Sequence, residues 1–306
     1  MYRKRLNNLY EAANRVDINN RSKIVIFSDC HRGDGGNSDN FAKNENLYYH
    51  ALRCYYSYGY TYIEAGDTDE LWENKRLSDI VDAHTEIYRL LCKFYKRNRL
   101  YMLYGNHDMA KLNERNSKCI ESYFNKEICD GVDIETDVTF YEALVLRYYS
   151  SEKEILITHG HQVDFLNYDL WRLTRLMVRY VWRPLESIGF KDPTNASTSR
   201  KHRKKIERHL SNWASDNVPI ITGHTHRPRF PEEGDAPYFN SGSCVNYRGI
   251  TCIEISDGMI MLVMWKHDTR PDGSVYVTRE VIGGPEHLNK YFVKKDMSIS
   301  GLPELI

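Results

Sequence analysis

A chain of 306 residues with 42 Lys plus Arg against 42 Asp plus Glu has no global charge to draw it to nucleic acid or a membrane surface. Hydrophobic content of 41% with 27% charged residues fits a folded protein of one large domain or two small ones, and argues against wholesale disorder. No run approaches the roughly 20 apolar residues of a membrane span.

The N-terminus MYRKRLNNLYEAANRVDINN lacks the apolar stretch of a secretory signal. The seven cysteines (Cys30, Cys54, Cys92, Cys119, Cys129, Cys244 and Cys252) form no C-x-x-C pair. Free thiols in a reduced, cytoplasmic setting are expected, not a disulfide framework or a zinc ribbon. Leu6, Leu9, Tyr10 and Ala13 recur at helical spacing and predict a helix over 3–16. The apolar run Lys23–Phe27 then predicts a buried parallel strand, ending on Ser28-Asp29-Cys30-His31 and a Gly-rich loop. The plan repeats. A helix near 43–57 precedes the strand Thr61–Ala65, which ends on Gly66-Asp67. A helix near 77–97 precedes the strand Leu100–Tyr104, which ends on Gly105-Asn106-His107-Asp108.

Two later strands follow the same rule. Glu154–Thr158 delivers His159-Gly160-His161, and Val218–Thr222 delivers Gly223-His224-Thr225-His226. Between them, about 163–216 carries helical signals and reads as an insertion covering the strand ends. Ile250–Ile255 and Met259–Trp265 flank Asp257-Gly258, a hairpin signal. After 268 no element is predicted. Polar residues thus collect past the carboxyl ends of successive apolar strands, the edge where open α/β sheets bind ligands.

Those ends offer Asp29, His31, Asp67, Asn106, His159, His224 and His226. Carboxylate, imidazole and amide donors suit Mn²⁺, Fe²⁺ or Zn²⁺, and the lack of cysteine ligands argues against a structural zinc site. Seven donors are too many for one tetrahedral ion and about right for two sites sharing a bridge, with the Asp of a Gly-Asp turn well placed to be that bridge.

In this order, Asp29-Cys30-His31, Gly66-Asp67, Gly105-Asn106-His107-Asp108, His159 and Gly223-His224-Thr225-His226 resemble the five signature blocks of the calcineurin-like metallophosphoesterase superfamily. They span residues 29–226, and Asn240-Ser241-Gly242-Ser243 resembles the turn that follows them. The resemblance implies an α/β fold, a four-layer α/β/β/α sandwich. Residues 1–306 would form one domain, with a helical cap insertion at about 163–216. It implies one metal held by Asp29, His31, Asp67 and His226, and a second by Asp67, Asn106, His159 and His224. The cofactors would be two divalent ions, manganese first and iron or zinc as alternatives. The implied reaction is attack of a bridging hydroxide on a phosphomonoester or phosphodiester. His107 would stabilise the phosphoryl group or protonate the leaving oxygen, and Asp108 would orient the His107 ring.

The G-D-x-x-E-x-W pattern of Gly66-Asp67-Thr68-Asp69-Glu70-Leu71-Trp72, with Arg227-Pro228 after the last block, resembles the bacterial UDP-2,3-diacylglucosamine pyrophosphatase branch. Many members of that branch carry Arg in place of His107 and Asp in place of His161. The alternative it implies is a pyrophosphatase acting on a lipid-linked or sugar nucleotide. A nuclease and a non-catalytic scaffold complete the readings. A scaffold is expected to lose ligands or the motif histidine, and this chain keeps them.

Residues 165–183 predict a helix with Arg172, Arg175, Arg179 and Arg183 on one face and Leu166, Leu170, Leu173, Met177 and Val181 opposite, widened by Trp171, Val178 and Trp182. It reads either as a helix packed on the core with a solvated Arg stripe, or as a lid receiving a lipid or aromatic group. A peripheral membrane contact therefore stays open. The run Arg200–Lys205 with Arg208 reads either as a solvated face or as an attractor of a polyanionic substrate. A phosphorylated small molecule or lipid nucleotide is the expected partner, and nucleic acid is not. His161 is as readily structural as it is a contact to a ligand or substrate.

Overall fold

The computed structural model describes residues 2–36, 38–128, 138–148, 153–178, 180 and 199–292. Strands β1 (Asn14–Ile18), β2 (Ile24–Phe27), β3 (Thr61–Ala65) and β4 (Leu100–Leu103) open the chain. After them come β5 (Phe140–Tyr141), β6 (Ala143–Tyr148), β7 (Glu154–Thr158), β8 (Ile220–Thr222) and β9 (Tyr238–Asn240). The last three are β10 (Ile250–Ser256), β11 (Met259–Thr269) and β12 (Val275–His287). They form two sheets, ordered β12-β11-β10-β2-β3-β4-β5 and β1-β6-β7-β8-β9. β2 through β5 run parallel, and β2 is buried at every position, as a strand covered on both faces must be.

Three hydrophobic clusters define the layers. Ile26, Ile63 and Leu103 of the larger sheet meet Leu144, Ile157 and Ile221 of the smaller one, so the sheets pack face to face. The outer side of the larger sheet is covered by helices at Glu45–Ser57, Leu77–Ala83, Thr85–Tyr95 and Glu114–Ile128, with Leu52, Ile87 and Leu91 packed near Val25. On the smaller sheet, Leu6 from the helix Tyr2–Ala12 and Leu210 and Trp213 from the helix Arg200–Asp216 cluster with Val145 and Leu156. The result is the expected α/β/β/α sandwich.

Several boundaries differ from expectation. The first helix stops at Ala12, and Asn14–Ile18 is a strand paired in parallel with β6, because Val16 and Ile18 turn into the space between the sheets. The helix expected over 77–97 breaks at His84, whose ring is clasped by Asp39 and Glu45 at 2.9 Å each. The segment after 268, where the sequence predicts no element, completes β11 and supplies β12. The hairpin at Asp257-Gly258 is as expected, both residues having positive φ of 53° and 71°.

The helix expected over 165–183 is not continuous. Numbering the helices in chain order, α6 (Phe165–Tyr168) and α7 (Trp171–Met177) flank a break before Leu170, which opposes one unbroken apolar face. Arg179, Val181, Trp182 and Arg183 lie outside the described residues, as does Cys129. α8 (Arg200–Asp216) is the long helix capped by Ser199, whose side chain accepts from the His202 amide. The six described cysteines are free, and no described helix is long and apolar enough to cross a membrane.

Candidate metal centre

The loops leaving β2, β3, β7 and β8 are tied to one another by backbone hydrogen bonds. Asp29 and His31 amides donate to Gly66 and Asp67 carbonyls at 3.0 Å, joining the loops after β2 and β3. Gly223 donates to the His159 carbonyl at 3.0 Å, joining those after β7 and β8. The His224 amide then donates to the Asp29 carboxylate at 2.9 Å, linking the two sheets across their common edge.

Two glycines permit this closeness. A Cβ on Gly105 would collide with the Asp67 carboxylate, and one on Gly223 with Ser28 and Asp29. The backbone is strained where the donors sit. Asp29, His31, Asp67, His224 and His226 all have φ between 49° and 66°, a left-handed conformation uncommon for residues other than glycine. Such strain persists only where surrounding structure over-determines it, which is common at functional sites.

The donor atoms converge. His226 Nε2 lies 3.1 Å from Asp29 Oδ1 and 3.2 Å from His31 Nε2. His159 Nε2 lies 3.0 Å from Asp67 Oδ2, while its Nδ1 donates to the Ala65 carbonyl at 2.9 Å, which fixes the ring. Three triads of donor atoms fit around a single ion each: Asp29, His31 and His226; His31, Asp67 and His107; and Asp67, His159 and His224. Asp67 belongs to two of them. Asn106 is buried, and its Oδ1 has no hydrogen-bond partner. A buried amide oxygen left orphaned beside carboxylates and imidazoles is what a hard or borderline cation would satisfy, so these residues fit divalent metal ions.

Electrostatics keep the cluster polarised. Burial opposes ionisation of Asp29, but His226 and His159 outweigh it and hold the carboxyl down at about 2. Burial also opposes charge on His159, which Asp67 and Asp29 overcome, raising it to about 9. For His107 burial again loses, here to Glu70 and Asp67, and the ring rises to about 10. His161 is the reverse case: burial, then His159 and His224, push its pKa well below the ordinary value.

A family model for calcineurin-like phosphoesterases matches residues 22–247 of the chain. The chain belongs to that family. Similar solved structures include vacuolar protein sorting 29 from Cryptosporidium parvum, at 15% identity over 85% of this chain and 97% of that one, with a TM-score of 0.36. A protein from Streptococcus pneumoniae described as a predicted phosphoesterase aligns at 16% identity over 85% and 97%, with a TM-score of 0.32. An archaeal phosphodiesterase aligns at 15% over 84% and 99%, with a TM-score of 0.33. No curated protein matches the chain in sequence.

In this member of the calcineurin-like phosphoesterase family, the seven donors expected from sequence lie in the loops past the strand ends, as do His107 and Asp108. Asp108 does not contact the His107 ring. It is fully buried and accepts from Gly105, Thr68 and Lys111 at 2.5, 3.0 and 2.9 Å, which holds the loop itself. The ring is held by Glu70, whose carboxylate meets Nδ1 of both His107 and His31 at 2.8 Å, and Trp72 stacks on His107 at 4.1 Å. Both residues belong to the G-D-x-x-E-x-W pattern, but only the fold brings them over His107.

Asp164 had no sequence signal. Its Oδ2 lies 3.2 Å from His224 Nε2 and 2.8 Å from His202 Nε2 of α8. His161 is fully buried, neither ring nitrogen has a hydrogen-bond partner, and its ring lies 5.4 Å from that of His159. It is in the cluster, not on the surface.

Proposed function

We propose that this calcineurin-like phosphoesterase hydrolyses a phosphomonoester or phosphodiester at a dinuclear centre. Asp29, His31, Asp67 and His226 would hold one ion, and Asp67, Asn106, His159 and His224 the other. The observation that carries this reading is the pair of donor triads Asp29/His31/His226 and Asp67/His159/His224, joined by the grouping of His31 with Asp67 in a third, together with the orphaned Asn106 oxygen. The chemistry supplied by two divalent cations at such a site is acidification of a water and neutralisation of phosphoryl oxygens; manganese is the first choice and iron or zinc the alternatives.

The chain's own residues do the rest. Glu70 engages His107 at Nδ1, which leaves Nε2 as the nitrogen for substrate, and the neighbouring carboxylates favour a protonated ring. That ring can stabilise phosphoryl charge or deliver a proton to the leaving oxygen. Trp72, stacked on it, limits its rotation. Asp108 would act on the loop, not on the ring. The reading takes 1–306 as one domain, with 163–216 as its insertion and a cytoplasmic setting.

A pyrophosphatase acting on a lipid-linked or sugar nucleotide is the second reading. It is favoured by the placement of Glu70 and Trp72, the distinctive residues of the G-D-x-x-E-x-W pattern, against His107. The test is hydrolysis by Mn²⁺-loaded protein of p-nitrophenyl phosphate, bis-p-nitrophenyl phosphate, a nucleoside diphosphate sugar and its acylated form. Chelator-sensitive turnover of a simple ester is expected. In His107→Ala it should fall by about 10²–10⁴-fold with metal content retained. Preference for the acylated pyrophosphate would favour the second reading, and bound metal without any turnover would return the scaffold reading.

A further inference from the structure

The start of α8 is electrostatically unfavourable for a helix. Arg200 and Lys201 occupy the first turn, where free N–H groups and the positive end of the dipole favour acids, and that turn holds none. Along the exposed side, Arg200, Lys204 and Arg208 follow one another at four-residue spacing, as do Lys201 and Lys205. Like charges repel at that spacing. None of these five cations pairs with a carboxylate among the described residues. Of the two acids on α8, Asp216 is taken by Arg3, and buried Glu207 lies 3.8 Å from Arg227. Elsewhere Arg147, Lys266 and Lys290 each meet a carboxylate within 3.0 Å.

The same helix borders the metal loops at two places. His202 reaches His224 through one oxygen of Asp164, by contacts of 2.8 and 3.2 Å. Arg227, next to His226 in the chain, approaches Glu207. His202, between Lys201 and Lys204 in the chain, thus lies one carboxylate away from a candidate metal ligand, and the cationic stripe runs along the same helix.

We propose that Arg200, Lys201, Lys204, Lys205 and Arg208 bind a second phosphate group of the substrate. The substrate is then a molecule with at least one phosphate beyond the one that is cleaved. The proposal rests on the phosphoesterase reading above. A second phosphate supplies the negative charge that the helix start and its mutually repelling cations lack, through charge-assisted hydrogen bonds. A substrate with one phosphate leaves the stripe unmet.

The probe is inorganic tripolyphosphate, titrated by calorimetry into the full chain in the presence of chelator, alongside the variant Lys201→Gln/Lys204→Gln/Lys205→Gln. Expected are binding that weakens with salt, an affinity at least about tenfold lower in the variant, and a Tm that does not fall, since repulsion has been removed. Equal affinity in the two proteins overturns the proposal. A lowered Tm with unchanged tripolyphosphate affinity overturns it too, since the stripe then serves the fold. Salt-steep binding of an RNA oligomer that tripolyphosphate cannot displace assigns the stripe to nucleic acid and also overturns it. Loss of tripolyphosphate binding in the variant, in a chain that hydrolyses no phosphoester, sinks the phosphoesterase reading and leaves the polyphosphate site standing.

Discussion

Two groups of cations in this chain are handled in opposite ways. Beneath the metal loops, Arg32 and Lys111 are buried and fully matched. Arg32 donates to Glu64 at 2.8 Å and Asp69 at 2.7 Å, and Lys111 meets Asp69 at 2.7 Å and Asp108 at 2.9 Å. On α8, Arg200, Lys201, Lys204, Lys205 and Arg208 are exposed and have no carboxylate partner among the described residues. Away from water a charge must be satisfied inside the protein, and once satisfied it fixes the geometry around it. In water it is screened and stays available to a ligand. Buried cations held by partners can position the loops above them, and exposed ones remain accessible to a ligand.

The comparison is sharpest where one buried charge serves several partners. Asp67→Asn should abolish measurable turnover and lower metal content at both sites, a larger loss than the roughly 10–100-fold seen when an outer partner of a ligand is removed. Two tightly bound ions and full activity, by elemental analysis and assay, would remove Asp67 as the bridge. Arg32→Met leaves Glu64 buried without its cation and Asp69 with Lys111 alone, and should cost about 3–5 kcal/mol of stability in urea unfolding. A loss below about 0.5 kcal/mol, the range of ordinary surface changes, would erase the contrast with α8.

A smaller effect concerns His84, an intermediate case. Burial disfavours its charge, but Asp39 and Glu45 outweigh this and raise its pKa above 6.5. A raised pKa means that the stabilisation is fully present below the unfolded value and is lost as pH rises through the folded one. The stability difference between wild type and His84→Gln should therefore be largest at pH 6 and shrink on raising the pH above the shifted value. A difference that grows with rising pH in urea titrations would contradict this.

Much of the centre was legible from sequence because strand ends announce themselves. A short apolar run that ends on Asp, Asn or His, with or without a Gly between, needs only local pattern to be read, and the candidates Asp29, His31, Asp67, Asn106, His159, His224 and His226 all lie just past such runs. Asp164 was not, because it follows a short 3-10 turn, His161–Val163, with no apolar strand directly before it. The helix expected over 3–16 overruns the first three residues of β1 because Ala13 continues the helical spacing, and only pairing with β6 draws Asn14–Ile18 into a sheet.

By itself the sequence determined where the apolar strands fall along the chain, the candidate donors at their ends and the cationic run of α8, all properties of residues near one another in the chain. Tertiary structure alone decided that Glu70, and not Asp108, meets the His107 ring, that Asp164 joins α8 to His224, and that Arg32 and Lys111 have carboxylate partners while Arg200, Lys201, Lys204, Lys205 and Arg208 have none among the described residues. Each of those depends on which loops the two packed sheets bring together, and pairings between distant segments leave no periodic mark on the chain.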